Sequence, residues 1–99
     1  MAGFYNMTAQ RLLIEGRVQR VGYRDWAVRT AHQLGVIGWV RNLQDGRVEI
    51  LADGEGNALN AFVDRCREGP ALAQVAHIDA MPAERGNVKG FTKRFTATA

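Results

Sequence analysis

Three arginines, Arg17, Arg20 and Arg24, fall inside the stretch Gly16-Arg17-Val18-Gln19-Arg20-Val21-Gly22-Tyr23-Arg24. Like charges this close repel unless an anion sits among them. An apolar run, Leu12-Leu13-Ile14, leads into the stretch, and a helical pattern beginning near Tyr23 leads out of it. A strand, a tight loop and a helix start in succession leave backbone N–H groups without intrahelical partners. The helix dipole adds roughly half a positive charge to those free donors. A glycine-containing turn needs no ligand on its own, but the three arginines argue for one. The pattern predicts a cradle for a phosphate or carboxylate, with Gly16, Arg17, Val18, Gln19, Arg20, Val21, Gly22 and Tyr23 as its loop.

Other chemistry is scarce. A nucleotide P-loop is excluded by spacing and by the missing Lys-Ser/Thr pair, and the dinucleotide fingerprint is absent. His32 and His77 have no carboxylate or cysteine partner at ligand spacing, and read as surface residues of a helix and a strand. No metal-ligand cluster is visible in the sequence, so no metal and no cofactor is expected. Cys66 falls on an apolar helical face and reads as core. Trp26 and Trp39 read as packing residues, although either could stack on a base. What remains is a cationic cradle without a general base, nucleophile or metal. It suits a substrate with a good leaving group that can handle its own protons. A mixed carboxylic–phosphoric anhydride meets both conditions, needing only charge stabilisation and a positioned water.

The elements that must hold this loop follow from periodicity. Residues 10–17 alternate as a strand, with Leu12 and Ile14 on one face. Tyr23, Ala27, Thr30, Ala31 and Leu34 mark one face of a helix that Gly35 ends. Residues 36–42 read as a second strand, and Gln44-Asp45-Gly46 as a hairpin turn into a third over 47–53. Gly54-Glu55-Gly56 precedes a second helix with Leu59, Phe62, Val63 and Cys66 inward, which Gly69-Pro70 closes. A fourth strand spans about 74–81 and a fifth about 91–96. The order βαββαβ plus a short terminal strand predicts an α+β fold of ferredoxin-like type, an antiparallel sheet with two helices on one face. Residues 1–9 lack a period and read as a loose arm, so the domain is expected over 10–99.

Composition agrees with one small domain. The 99 residues are 46% hydrophobic and 23% charged, a globular balance. Arginine supplies eleven of the thirteen basic side chains, and it suits bidentate oxyanion contacts better than lysine does. Residues 1–47 carry seven arginines against three acids, so the net charge of +3 is concentrated around the loop. The single cysteine excludes an internal disulfide, and no run is long enough for a membrane span or signal peptide. A cytoplasmic monomer acting on a small molecule, with no membrane or nucleic-acid partner, is the expectation.

The residues also resemble the acylphosphatase family. Its first motif has the form G-x-V-Q-G-V-x-aromatic-R and stands here as Gly16 to Arg24. Its second stands as Gly38-Trp39-Val40-Arg41-Asn42, followed by Gly46, Val48 and Gly54 at the family spacing. The resemblance covers about residues 10–96. It implies metal-free hydrolysis of acyl phosphates to a carboxylate and inorganic phosphate. Arg24 matches the phosphate-binding catalytic arginine, the loop amides the cradle, and Asn42 the residue that positions the nucleophilic water. The chain departs from the pattern at Arg20, where the family usually has glycine. If that position needs positive φ, arginine costs on the order of 1 kcal/mol of strain. Two rival readings are a non-catalytic anion-binding module and a single-stranded RNA-binding module. The candidate central strand Val48-Glu49-Ile50-Leu51 has no aromatic residue, which counts against RNA.

Overall fold

The computed structural model describes residues 7–98. Five strands and two helices follow in order: β1 (Met7–Arg17), α1 (Tyr23–Leu34), β2 (Ile37–Asn42), β3 (Val48–Glu55), α2 (Gly56–Glu68), β4 (Gln74–Ala83) and β5 (Phe91–Lys93). The sheet order is β4-β1-β3-β2-β5. β1 lies antiparallel between β3 and β4, and β2 pairs antiparallel with β3. This is the ferredoxin-like arrangement, with a fifth strand added at one edge.

That fifth strand corrects one expectation. The sheet is mixed and not wholly antiparallel, because β5 runs parallel to β2, with Gly38 opposite Phe91 and Val40 opposite Lys93. The chain reaches β5 from the far edge strand β4 through a long loop, so it can enter beside β2 in that direction. β5 is also shorter than the apolar pattern suggested. The first strand is longer, opening at Met7 inside the stretch read as an arm. Residues 1–6 of that expected arm lie outside the described residues.

Alternation explains the core. Leu12 and Ile14 of β1, Val40 of β2, Val48, Ile50 and Ala52 of β3 and Ile78 of β4 are buried together with the helices' apolar faces. Each large aliphatic side chain buried here contributes about 1.5–3 kcal/mol of transfer free energy. Ala27 and Ala31 are the small inward residues of α1, and Leu59, Phe62, Val63 and Cys66 those of α2. Phe62 meets Phe91 edge-on at 5.6 Å between ring centroids, tying α2 to β5. Burial pushes the Cys66 thiol up to about 12, so it stays protonated and serves packing.

Two other residues of β3, Glu49 and Asp53, are buried carboxylates. Glu49 is buried and accepts from Arg11 and, at 2.7 Å, from Arg41. Asp53 is buried as well and is held by Arg85 at 2.9 Å. Trp39 has the guanidinium groups of Arg41 and Arg94 each 4.7 Å from a ring centroid. Its role is packing through cation–π contact.

Candidate active site

The turn between β1 and α1 has an unusual backbone. Arg20 adopts φ 64 and Gly22 φ 81, with Val21 between them in the ordinary negative range. Backbone of this kind, with positive φ on either side of an ordinary residue, is the form from which nests for anions are built. Arg20 is the one non-glycine residue at positive φ among those described. The strained geometry raised by the sequence is therefore present at that position. At Gly22 nothing obstructs a side chain, so glycine is favoured there by conformation alone.

Helix α1 begins at this nest without a side-chain cap. Gly22 has no side chain to offer, and the first helical bond runs from Trp26 N to Gly22 O at 3.0 Å. The second helix is treated differently. Glu55 caps α2, accepting from the N–H groups of Asn57 and Ala58 at 3.0 and 3.3 Å. The open helix end is thus the one that faces the loop. Free N–H groups and the dipole there favour a bound anion.

A cavity of about 210 Å³ sits at this junction, lined by Val18, Arg20, Gly22, Tyr23, Arg24, Asp25, Asn42 and Lys93. It brings together Arg24 and Asn42, which the sequence separates by a helix and most of a strand. Asn42 closes β2, and its backbone is fixed by pairing with Val48 and by accepting from Ala97 N at 3.0 Å. Its side-chain Oδ1 is buried and has no hydrogen-bond partner among the described residues. An orphaned acceptor of that kind is costly unless something donates to it.

Several loop residues do other work. Arg17 does not line the cavity; it is the last residue of β1, paired with Gln74. Gly16 sits at a β-bulge against β4, where a Cβ would lie 2.2 Å from the Gln74 carbonyl oxygen. Both residues are still paired with β4 in the sheet, and neither lines the cavity. Gln19 turns its side chain to the β2–β3 hairpin, donating to the Leu43 and Arg47 carbonyls. Val18 is core, and Val21 packs against it in part. Tyr23 has a buried ring whose hydroxyl donates to the Cys66 carbonyl at 2.6 Å. Burial pushes its phenol far above the ordinary tyrosine range, so it is no acid or base here.

Asp25 and Lys93 are the lining residues that sequence reasoning missed, and Lys93 is the distant one. Its ammonium donates to Asp25 Oδ1 at 2.8 Å. That hydrogen bond holds the Asp25 carboxyl below the usual carboxylate range. No spacing signal links residues so distant in sequence; only the parallel seat of β5 beside β2 does. A second pattern hidden in the sequence is a cross-strand trio. Glu15 stands opposite His77, and His77 Nε2 lies 2.8 Å from Asp79 Oδ1. Ligand atoms of Glu15, His77 and Asp79 fall within 4.8 Å of one another, so a cluster with metal-ligating groups exists after all. All three are exposed, and none lines the cavity.

The family model described as acylphosphatase matches residues 10–96. The chain belongs to the acylphosphatase family. It is similar to an acylphosphatase of Acidiphilium cryptum, 46% identical over 91% of this chain and 99% of that protein. Among solved structures it is similar to an acylphosphatase from Coxiella burnetii, with TM-score 0.88 and 29% identity over 93% of this chain and 97% of the other. A Bacillus subtilis acylphosphatase gives TM-score 0.85 and 35% identity over 89% of this chain and 98% of that one. As an acylphosphatase-family member, the chain has its cavity on the loop and strand end that carry the two motifs. No helix among the described residues is long and apolar enough to cross a membrane.

Proposed function

We propose that this chain hydrolyses acyl phosphates, with Arg24 and the loop amides holding the phosphoryl group and Asn42 holding the attacking water. The observation that carries the division of roles is that Asn42, whose buried Oδ1 has no partner among the described residues, lines the same cavity as Arg24. A water held by the Asn42 side chain keeps one hydrogen as the hydroxyl and is oriented toward bound phosphorus. Its oxygen forms a bond to phosphorus as the bond between phosphorus and the carboxylate oxygen breaks. The remaining water proton passes to a phosphoryl oxygen, so carboxylate and dihydrogen phosphate leave. No protein base is required, in keeping with a cavity whose lining offers Asp25 engaged by Lys93 and no histidine.

Charge stabilisation supplies the rate. Negative charge builds on the phosphoryl and leaving oxygens, and the nest, the open helix end and the Arg24 fork meet it without reorganising. The catalytic unit takes in β1 from Met7 onward and acts as a cytoplasmic monomer on a small molecule, without nucleic acid. The test is turnover of benzoyl phosphate and acetyl phosphate by the purified chain, with Asn42→Ala beside it. The variant should lose roughly 10²-fold or more in kcat while inhibition by inorganic phosphate changes little. Loss of phosphate inhibition with kcat intact would move Asn42 into the cradle. No turnover, joined to retention of single-stranded RNA on a filter, would replace the hydrolase reading with the RNA one.

A further inference from the structure

The cavity takes in more than a phosphate cradle. In the reading above, on which this inference rests, Arg24, the helix start and the loop amides serve the phosphoryl group. What remains in the lining for the acyl group is Arg20, Asp25 and Lys93, because Val18 and the Tyr23 ring are each only 1% exposed. An aliphatic or aromatic acyl group therefore finds almost no apolar side chain to cover it. A charged acyl group finds two cations.

We propose that Lys93, fixed at the cavity by Asp25, selects acyl phosphates whose acyl group carries a second anionic group such as a carboxylate. An ammonium has three donors, and the bond to Asp25 at 2.8 Å uses one of them. The Lys93 side chain is 45% exposed, so the other two are open to a ligand. Asp25 acts as a positioning residue: it sits in the first turn of α1 and orders a flexible lysine that otherwise loses rotamer freedom on binding. Arg20, held at its unusual φ in the same lining, brings a second guanidinium toward the acyl side.

The test compares benzoyl phosphate, 4-carboxybenzoyl phosphate and 4-(aminomethyl)benzoyl phosphate, which share one reacting group and differ in the charge opposite it. The rigid ring prevents the carboxylate from attacking its own anhydride. At low ionic strength kcat/KM should favour the carboxylate over the unsubstituted ring by about fivefold, the scale of one exposed ion pair, and should disfavour the amine. Raising salt should shrink that ratio toward unity. Lys93→Met should remove most of the preference and Lys93→Arg should retain it, each ratio being taken within one variant so that common effects cancel. A preference that survives in Lys93→Met overturns the proposal, as does a preference for the amine, which would make Asp25 the selector. Turnover of all three without a carboxylate preference overturns this inference alone. Absence of turnover on all three overturns the hydrolase reading beneath it.

Discussion

The side-chain amide of Gln19 donates to the Leu43 carbonyl oxygen at 2.8 Å and, through the same nitrogen, to that of Arg47 at 2.9 Å. One glutamine thereby fastens the anion-binding loop to the hairpin that begins directly after Asn42. The two carbonyls flank the turn, whose own closure runs from Leu43 N to Arg47 O at 2.8 Å. The loop and Asn42 are thus set against each other by a side chain that does not itself line the cavity. Gln19 belongs to the second tier of the site, and the sequence motif gives no hint of which way its amide points.

Gln19→Ala is expected to cost about 1–2 kcal/mol, since two part-buried hydrogen bonds are lost, while each carbonyl keeps one backbone donor. Urea unfolding measures that cost. The kinetic signature should be a fall in kcat larger than the change in phosphate inhibition, because the cradle survives and its distance to Asn42 does not. Gln19→Glu should be worse in both respects, as a carboxylate cannot donate to either carbonyl. A Gln19→Ala enzyme with wild-type kcat would show that loop and hairpin hold their places unaided.

Arg24→Lys should lose most activity, with kcat/KM down by roughly 10²-fold or more. In the role proposed for Arg24, a guanidinium grips two phosphoryl oxygens in one plane, and an ammonium is a point charge that cannot. Among the described residues no salt bridge occupies Arg24, so the substitution removes nothing structural. Thermal unfolding should therefore be close to wild type while inorganic phosphate inhibits less. Wild-type turnover by the lysine variant would dismiss Arg24 as the phosphate-gripping residue.

The loop and both helices were legible in the sequence because their signals are local. Gly22 and Gly35 bracket α1, and the Leu12/Ile14 alternation assigns the inward face of β1. Asn42 was reachable through its motif. Lys93 was not, because its place depends on β5 joining β2 in parallel, a tertiary choice that no period in residues 91–96 encodes. The Glu15–His77–Asp79 trio escaped notice for the same reason, since register across β1 and β4 creates it. Arg17 shows the limit of counting charge per loop, because β1 runs on through Arg17 before the loop begins.

Glu49 gives the fold a definite response to acid. Burial pushes its carboxyl up, yet hydrogen bonds from Arg11 and Arg41 outweigh this and hold it below the ordinary range. A carboxyl depressed in the folded state stabilises the protein above its unfolded pKa, and that stabilisation is lost as pH falls through the folded value. Wild-type stability in urea should accordingly decline as pH drops below about 5. Glu49→Gln should cost about 1–3 kcal/mol at neutral pH, because charge-assisted bonds to two arginines become ordinary ones. Its stability curve should also be flatter over the acid range. A variant that keeps the wild-type acid slope would assign that slope to other carboxylates.

Arg20→Gly tests whether the left-handed backbone at the cradle is tolerated strain or part of its chemistry. With φ 64, arginine pays a steric penalty of about 1–2 kcal/mol that glycine avoids. Glycine in turn gives the unfolded chain more freedom, worth about 0.4–1 kcal/mol in the opposite sense. The two partly offset, so urea unfolding should shift by no more than about 1 kcal/mol. Kinetics separate the roles of the side chain more sharply. If it acts by attraction at the cavity, its loss raises KM modestly and flattens the salt dependence while kcat holds, and that is the expected result. A large rise in kcat would mean that arginine distorts the nest and that glycine restores it. A large fall would put the Arg20 guanidinium on the phosphoryl group in the transition state, beside Arg24, and the cradle would then work with two arginines.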